Sequence, residues 1–266
     1  MTTTRRAAVA GMFYPADPRE LREMVQGYLA QAEKQDSFPK AVISPHAGFI
    51  YSGPVAASVY ARLSAGRERI ERVVLLGPSH RVPFHGLAIT DADFYETPLG
   101  RVPIDQAFQQ QISDLPQVRL LQAAHASEHS LEVQLPFLQS VLGDFKLVPL
   151  VVGDADGKEV AEVLERLWGG PETLIVISSD LSHYHDYLTA QRMDRATSDA
   201  IVGLHPEAIG YDDACGRIPV QGLLNLAKKQ GLQGELIDLR NSGDTAGPRN
   251  QVVGYGAYAF FEKTAA

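Results

Sequence analysis

The chain has 266 residues, 45% hydrophobic and 21% charged, with a formal net charge of −8 at pH 7. That supplies a sizeable core for one large α/β domain or two small ones. No basic stretch is longer than a pair such as Arg5–Arg6 or Lys228–Lys229, which argues against nucleic-acid or anionic-membrane partners, and no apolar run approaches the ~20 residues of a membrane span. A single cysteine, Cys215, rules out an internal disulfide framework, so a cytoplasmic, reducing compartment is expected. The N-terminal stretch MTTTRRAAVAGMFYPADP has only a mild apolar run, broken by Gly11, and reads as mature protein rather than a signal peptide.

In chain order, Asp17-Pro18-x-Glu20 has the make-up of a helix start, with cap, proline and acid in the first turn. The helix is expected to run to about Lys34, with Leu21, Met24, Val25, Tyr28 and Leu29 on one face. A strand at 40–44, a helix opened by Pro54 and a strand at 72–77 follow. Thr97-Pro98-Leu99-Gly100 reads as a turn between short strands within 86–104. A helix is expected around 105–113, and another from Ser130 to Leu142 with Pro136 kinking it or sitting near its start. The alternation continues with strand 146–152, helix 157–168 and strand 173–178. Helices near 189–204, 206–212 and 219–230 follow, and strands 234–239 and 251–261 close the chain. This pattern predicts an α/β fold, a single domain over 1–266, with a central, mostly parallel or mixed sheet covered by helices.

Three apolar runs each deliver a histidine just past their end: AVIS into His46, VVLLGPS into His80, and LIVISSDLS into Asp180 and His183. The run KLVPLVV delivers Asp154 instead. In an open parallel sheet, ligands bind beyond the carboxyl ends of the strands, so His46, His80 and His183 are expected to share one crevice. Independent loop caps do not explain a shared edge. Glu128-His129 falls at an expected helix start, where outward N–H groups either hold an anionic group or serve as a cap built by Ser127 and Ser130. His85, His185 and His205 are weaker candidates, His205 reading as an exposed loop residue. Cys215 precedes Gly216-Arg217, and with two histidines it makes a soft three-ligand metal site with an open position. The alternatives are a small buried hydrophobe at Cys215 and Asp180 as the third ligand.

The motifs GMFYPADPREL, SPHAGFIYSG, LLGPSH, YETPLG, EHSLEVQLPF, ISSDLSHY and ACGRIPV stand in the order found in the Memo-like family, called AmmeMemoRadiSam system protein B in prokaryotes. The chain resembles that family from Gly11 to the final strand. The family in turn is similar to class III extradiol dioxygenases in fold and pocket position. The resemblance implies metal-facing roles for His46, His80 and Cys215 and an acid/base role for His183 with Asp180 beside it; Phe13, Tyr51, Glu128, His129 and Arg217 are expected to line the pocket. It also implies a small-molecule or peptide ligand and a radical-SAM system partner. In the dioxygenases the third ligand is a carboxylate; here the matching position is Cys215, whose thiolate suits iron, copper or zinc and is oxidisable beside O₂. The expected function is a metal-dependent, dioxygenase-like oxidoreductase, with iron the first choice of metal. The alternatives are a metal-binding protein without turnover, acting through a partner, and a zinc-type hydrolase.

Overall fold

The computed structural model describes residues 2–33 and 37–262. The first half of the chain gives β1 (Thr4–Arg5), α1 (Pro18–Gln31), β2 (Ala41–Ser44), α2 (Phe49–Tyr60), β3 (Arg72–Pro78), β4 (Leu87–Ile89), β5 (Phe94–Thr97), β6 (Gly100–Pro103), α3 (Gln106–Gln109), β7 (Val118–Leu120) and α4 (Gln122–Ala126). The second half gives α5 (Leu135–Val141), β8 (Lys146–Val152), α6 (Gly157–Arg166), β9 (Thr173–Ser178), β10 (His183–His185), α7 (Tyr187–Val202), α8 (Arg217–Gln230), β11 (Gln233–Asn241) and β12 (Val252–Phe261). Nine strands form one mixed sheet in the order β10-β12-β2-β9-β3-β8-β4-β7, with β11 paired to β12. Strands β1, β5 and β6 make a small separate sheet.

The four strands β2, β9, β3 and β8 are mutually parallel, and their registers align Ser44 with Ser178, Leu76 with Ile177 and Pro78 with Val152. Their carboxyl ends therefore finish at one edge. The apolar runs are continuous because both faces are covered. Alternate residues split between two cores: Val42, Val73, Leu75, Leu147 and Val176 face one, while Ile43, Val74, Leu76, Val148 and Ile177 face the other. All ten are essentially excluded from water, each contributing roughly 1.5–3 kcal/mol by burial. Helix starts follow the sequence chemistry. Asp17 accepts from the N–H groups of Arg19 and Glu20, and Asp156 forms a capping box with Glu159.

Four expectations need correction. Helix α2 begins at Phe49, not at Pro54; the proline sits in the second turn, where its missing N–H removes one bond to the carbonyl of the exposed Ile50. The helix expected at 206–212 is only a 3₁₀ turn, Pro206–Ala208. The segment 105–113 is the short α3 plus a 3₁₀ turn over Gln110–Ile112. The segment 130–142 is a 3₁₀ turn, Glu132–Gln134, leading into α5, with Pro136 in the first turn of that helix. Helix α1 stops at Gln31, and the expected end at Lys34 lies outside the described residues. No described helix is long and apolar enough to cross a membrane.

Candidate metal centre

His46 lies two residues beyond β2 and His80 two residues beyond β3, so the aligned strand ends bring them together with ring centroids 5.2 Å apart. The hydrogen bonds behind each ring fix its tautomer. His46 Nδ1 is 2.9 Å from Ser178 Oγ. The single Ser178 hydroxyl proton goes to the Ser130 carbonyl at 2.6 Å, and the same oxygen accepts from Gln134 Nε2 at 2.7 Å. Nδ1 must therefore be the N–H partner, which leaves the Nε2 lone pair of His46 free. His80 Nδ1 donates to Glu128 Oε1 at 2.9 Å, which likewise directs the His80 Nε2 lone pair outward. Backing of this kind orients metal-binding imidazoles and raises their basicity.

The third candidate donor is Cys215. Its Sγ lies 3.3 Å from His46 Nε2, and one ligand atom from each of His46, His80 and Cys215 falls within 4.8 Å of the others. Two donors bound to one ion at about 2.0 Å (nitrogen) and 2.3 Å (sulfur) stand roughly 3.5 Å apart, so the His46–Cys215 spacing suits a shared ion. Burial, then the negative charge of Asp180, pushes the Cys215 thiol far up, so without a metal it stays protonated. A bound cation reverses that and takes the thiolate. Gly216 makes the approach possible: a Cβ there would sit 2.7 Å from Ser179 Cβ and 2.8 Å from the Ser178 carbonyl oxygen. Cys215 Sγ thus faces the His46 ring and the Asp180 backbone N–H.

Both nearby carboxylates take hydrogen bonds from the donor loops, Glu128 on both oxygens and Asp180 on Oδ1. Glu128 Oε1 accepts from His80 Nδ1 and from the backbone N–H of His129 and Ser130, each at 2.9 Å, while Oε2 accepts from the His80 N–H at 2.6 Å. Burial alone would raise its pKa, but the His80 bonds and charge outweigh burial and hold it at about 2. Asp180 accepts the His46 N–H on Oδ1 at 2.7 Å, and burial pushes its pKa up. Its backbone N–H points to Cys215 Sγ at 3.3 Å. Asp180 and Glu128 both hold backbone N–H groups of the donor loops, and a second set, His80, Glu128 and His129, also brings three candidate donor atoms within 4.8 Å of one another.

Two cavities flank the cluster. One, of about 540 Å³, is lined by Phe13, His46, Tyr51, His129, Asp180 and Tyr255 among others. The other, of about 610 Å³, is lined by Phe84, Tyr211, Cys215, Arg217 and Ile218 among others. His80, His183 and Tyr184 line both. His183 therefore sits beside the donors without joining their cluster. Arg217, on the first turn of α8, lies against the Tyr211 ring at 5.4 Å. His85 and Asp154 form an exposed pair, with Asp154 on the wall of the cavity that Cys215 lines, and His205 is exposed.

With this geometry in place, the family model described as Memo-like protein matches residues 5–259. The chain is 39% identical to a MEMO1 family protein of Aquifex aeolicus, an alignment covering 94% of this chain and 97% of the relative. It is 36% identical to MEMO1 family proteins of Methanopyrus kandleri (96% and 98%) and Archaeoglobus fulgidus (96% and 99%). The chain belongs to the Memo-like family.

This Memo-like chain also carries supports that sequence reasoning did not single out. Ser178 and Gln134 set the His46 tautomer, but each lies in a different motif from His46 and carries no signature of its own. Glu132 is fully buried and pairs closely with Arg5. It also accepts from the N–H groups of Ala8 (2.8 Å) and Val9 (3.0 Å) and from Tyr14 Oη (2.5 Å). Arg5 in turn donates to the carbonyls of His125 (3.0 Å) and Glu128 (2.6 Å). The N-terminal segment thereby clamps the loop that presents Glu128.

His125 is a core residue. Its Nδ1 takes the Tyr95 hydroxyl at 2.6 Å and its Nε2 meets the Ala88 carbonyl at 3.0 Å, a fully satisfied neutral ring. Burial lowers its pKa to about 4. Because the folded value lies below the unfolded value of about 6.5, its contribution of about 3 kcal/mol is full above pH 6.5 and is lost as pH falls through 4. Nitrogen-resolved NMR is expected to show the His125 ring neutral at pH 5.5, protonated on Nε2 alone; a doubly protonated ring at that pH contradicts the assignment.

Proposed function

We propose that this chain holds one transition metal, iron first and copper next, on His46, His80 and Cys215, and acts as a dioxygenase-like oxidoreductase on a small ligand bound in the adjoining cavities. The observation carrying this reading is the convergence of two tautomer-fixed imidazoles and a thiol where both cavities meet. When bound, such a metal supplies O₂ and one-electron chemistry at an open coordination position. The rest falls to the chain's own side chains. His183 moves a proton to or from the ligand, since its ring faces both cavities and stands outside the donor cluster. Phe13, Tyr51 and His129 form an aromatic wall that orients the ligand, with the Phe13 and His129 ring centroids 4.7 Å apart. Arg217 offers a cation in the other cavity. The same reading places the protein in the cytoplasm with a radical-SAM system partner.

A metal-holding role without turnover is the second reading. It is favoured by the thiol in the third position, because a thiolate beside O₂ is oxidisable. The zinc-hydrolase reading has the least support, since the Glu128 pKa is held at about 2, making it a weak base, which leaves Asp180 as its one nearby carboxylate candidate. Protein purified without chelator or nickel affinity resin should carry about one iron or copper per chain, and a catechol should drive O₂ uptake. His183→Ala is expected to keep the metal and lose that uptake. Stoichiometric zinc supports the hydrolase, metal without uptake supports the holding role, and loss of metal in the His183 variant contradicts the proton-transfer assignment.

A further inference from the structure

Two described non-glycine residues have positive φ, Leu204 at 56° and Tyr184 at 62°. Leu204 is explained by the end of α7, where the N–H of His205 returns to the Ala200 carbonyl (2.8 Å) and that of Leu204 to Ile201 (3.2 Å), the Schellman pattern. Tyr184 has no such helix end. It lies inside β10, opposite β12, where His183 faces Val253 and His185 faces Val252. Two strand residues separated by one are thus matched to two consecutive partners, and Tyr184 is the extra residue of a β-bulge. Regular pleating sends neighbouring side chains to opposite faces. Here His183 and Tyr184 line the same two cavities, and the bulge is what allows it.

The backbone thus adopts a conformation disfavoured for an aromatic residue, and the ring gains no core burial in return: Tyr184 is 70% exposed. Its ring centroid is 5.8 Å from that of His183. Strain held without a packing benefit, at the wall of a site, points to function.

We propose that Tyr184 is the specificity-determining residue of this site: the bulge holds its ring beside the metal donors so that it packs on a planar, conjugated ligand spanning the two cavities. The proposal rests on the reading of the cluster as a ligand-binding metal site. It is tested with 4-nitrocatechol as the planar probe, titrated by visible absorbance into iron(II)-loaded protein under anaerobic conditions and into metal-free protein. Tyr184→Asn keeps a residue that tolerates positive φ, and Tyr184→Phe keeps the ring. Tyr184→Asn is expected to hold the parent's metal content and melt no lower than the parent, yet bind the probe about 3- to 10-fold more weakly. Tyr184→Phe should bind within roughly twofold of the parent, since the ring makes the contact. Equal affinity in parent and Tyr184→Asn, a lowered melting temperature in that variant, or a parent that binds no probe in either state overturns the proposal. A parent that takes no metal defeats the metal reading instead, and the metal-free titration still decides the role of Tyr184.

Discussion

His46→Ala is expected to lower iron or copper affinity well over 100-fold while leaving the fold intact. The size follows from comparison with the backing residues. Removing a partner that merely orients a metal-bound histidine typically costs 10- to 100-fold, so removing a ligand costs more. His46 is buried, but its ring lies beside the His80 ring and Cys215 Sγ, in a polar setting. A graded series checks the account by calorimetric metal titration. His46→Ala and His80→Ala should fall together. Cys215→Ser should lose Cu(I) most, because a hydroxyl is a harder and poorer donor than a thiolate. Glu128→Gln should fall in the 10- to 100-fold range, since the His80 N–H loses a charged acceptor. Parent-like affinity in His46→Ala removes the cluster from consideration.

The largest stability loss is expected at Glu132, outside the metal cluster. Glu132→Ala leaves the Arg5 guanidinium buried without its counter-charge and strips acceptors from Ala8, Val9 and Tyr14. Breaking a buried pair in this way costs about 3–5 kcal/mol. For a chain of this size that lowers the melting temperature by roughly 6–20 °C. Glu128 shares this clamp through its carbonyl, so the variant should also bind metal more weakly at temperatures where it is still folded. A melting point within about 2 °C of the parent would show that the pair is incidental.

The parallel strands were legible because burial on both faces writes them as unbroken apolar runs, and strands β8 and β9 fall where the runs fall. Those runs also carried His46 and His80 to one edge, since a parallel register aligns their ends. What was not legible depends on distance along the chain. Arg5 and Glu132 are 127 positions apart, and no local pattern pairs them. The three-residue strands β7 and β10 are too short to show a period, and the bulge at Tyr184 exists only because β12 lies opposite. The start of helix α2 is not legible from Pro54, because proline suits a first turn and here sits in the second, five residues past Phe49. Glu128 and Asp180 carry the composition of ligands or bases, and only the folded chain shows the backbone N–H groups that they also hold.

The central claim is the donor set. X-ray absorption on protein loaded with one equivalent of iron(II), anaerobically, tests it most directly, with Cys215→Ser alongside. The account predicts a single sulfur scatterer at about 2.3 Å with imidazole nitrogens near 2.1 Å, and loss of the sulfur shell in the serine variant. A first shell of oxygen and nitrogen alone in the parent protein would contradict it.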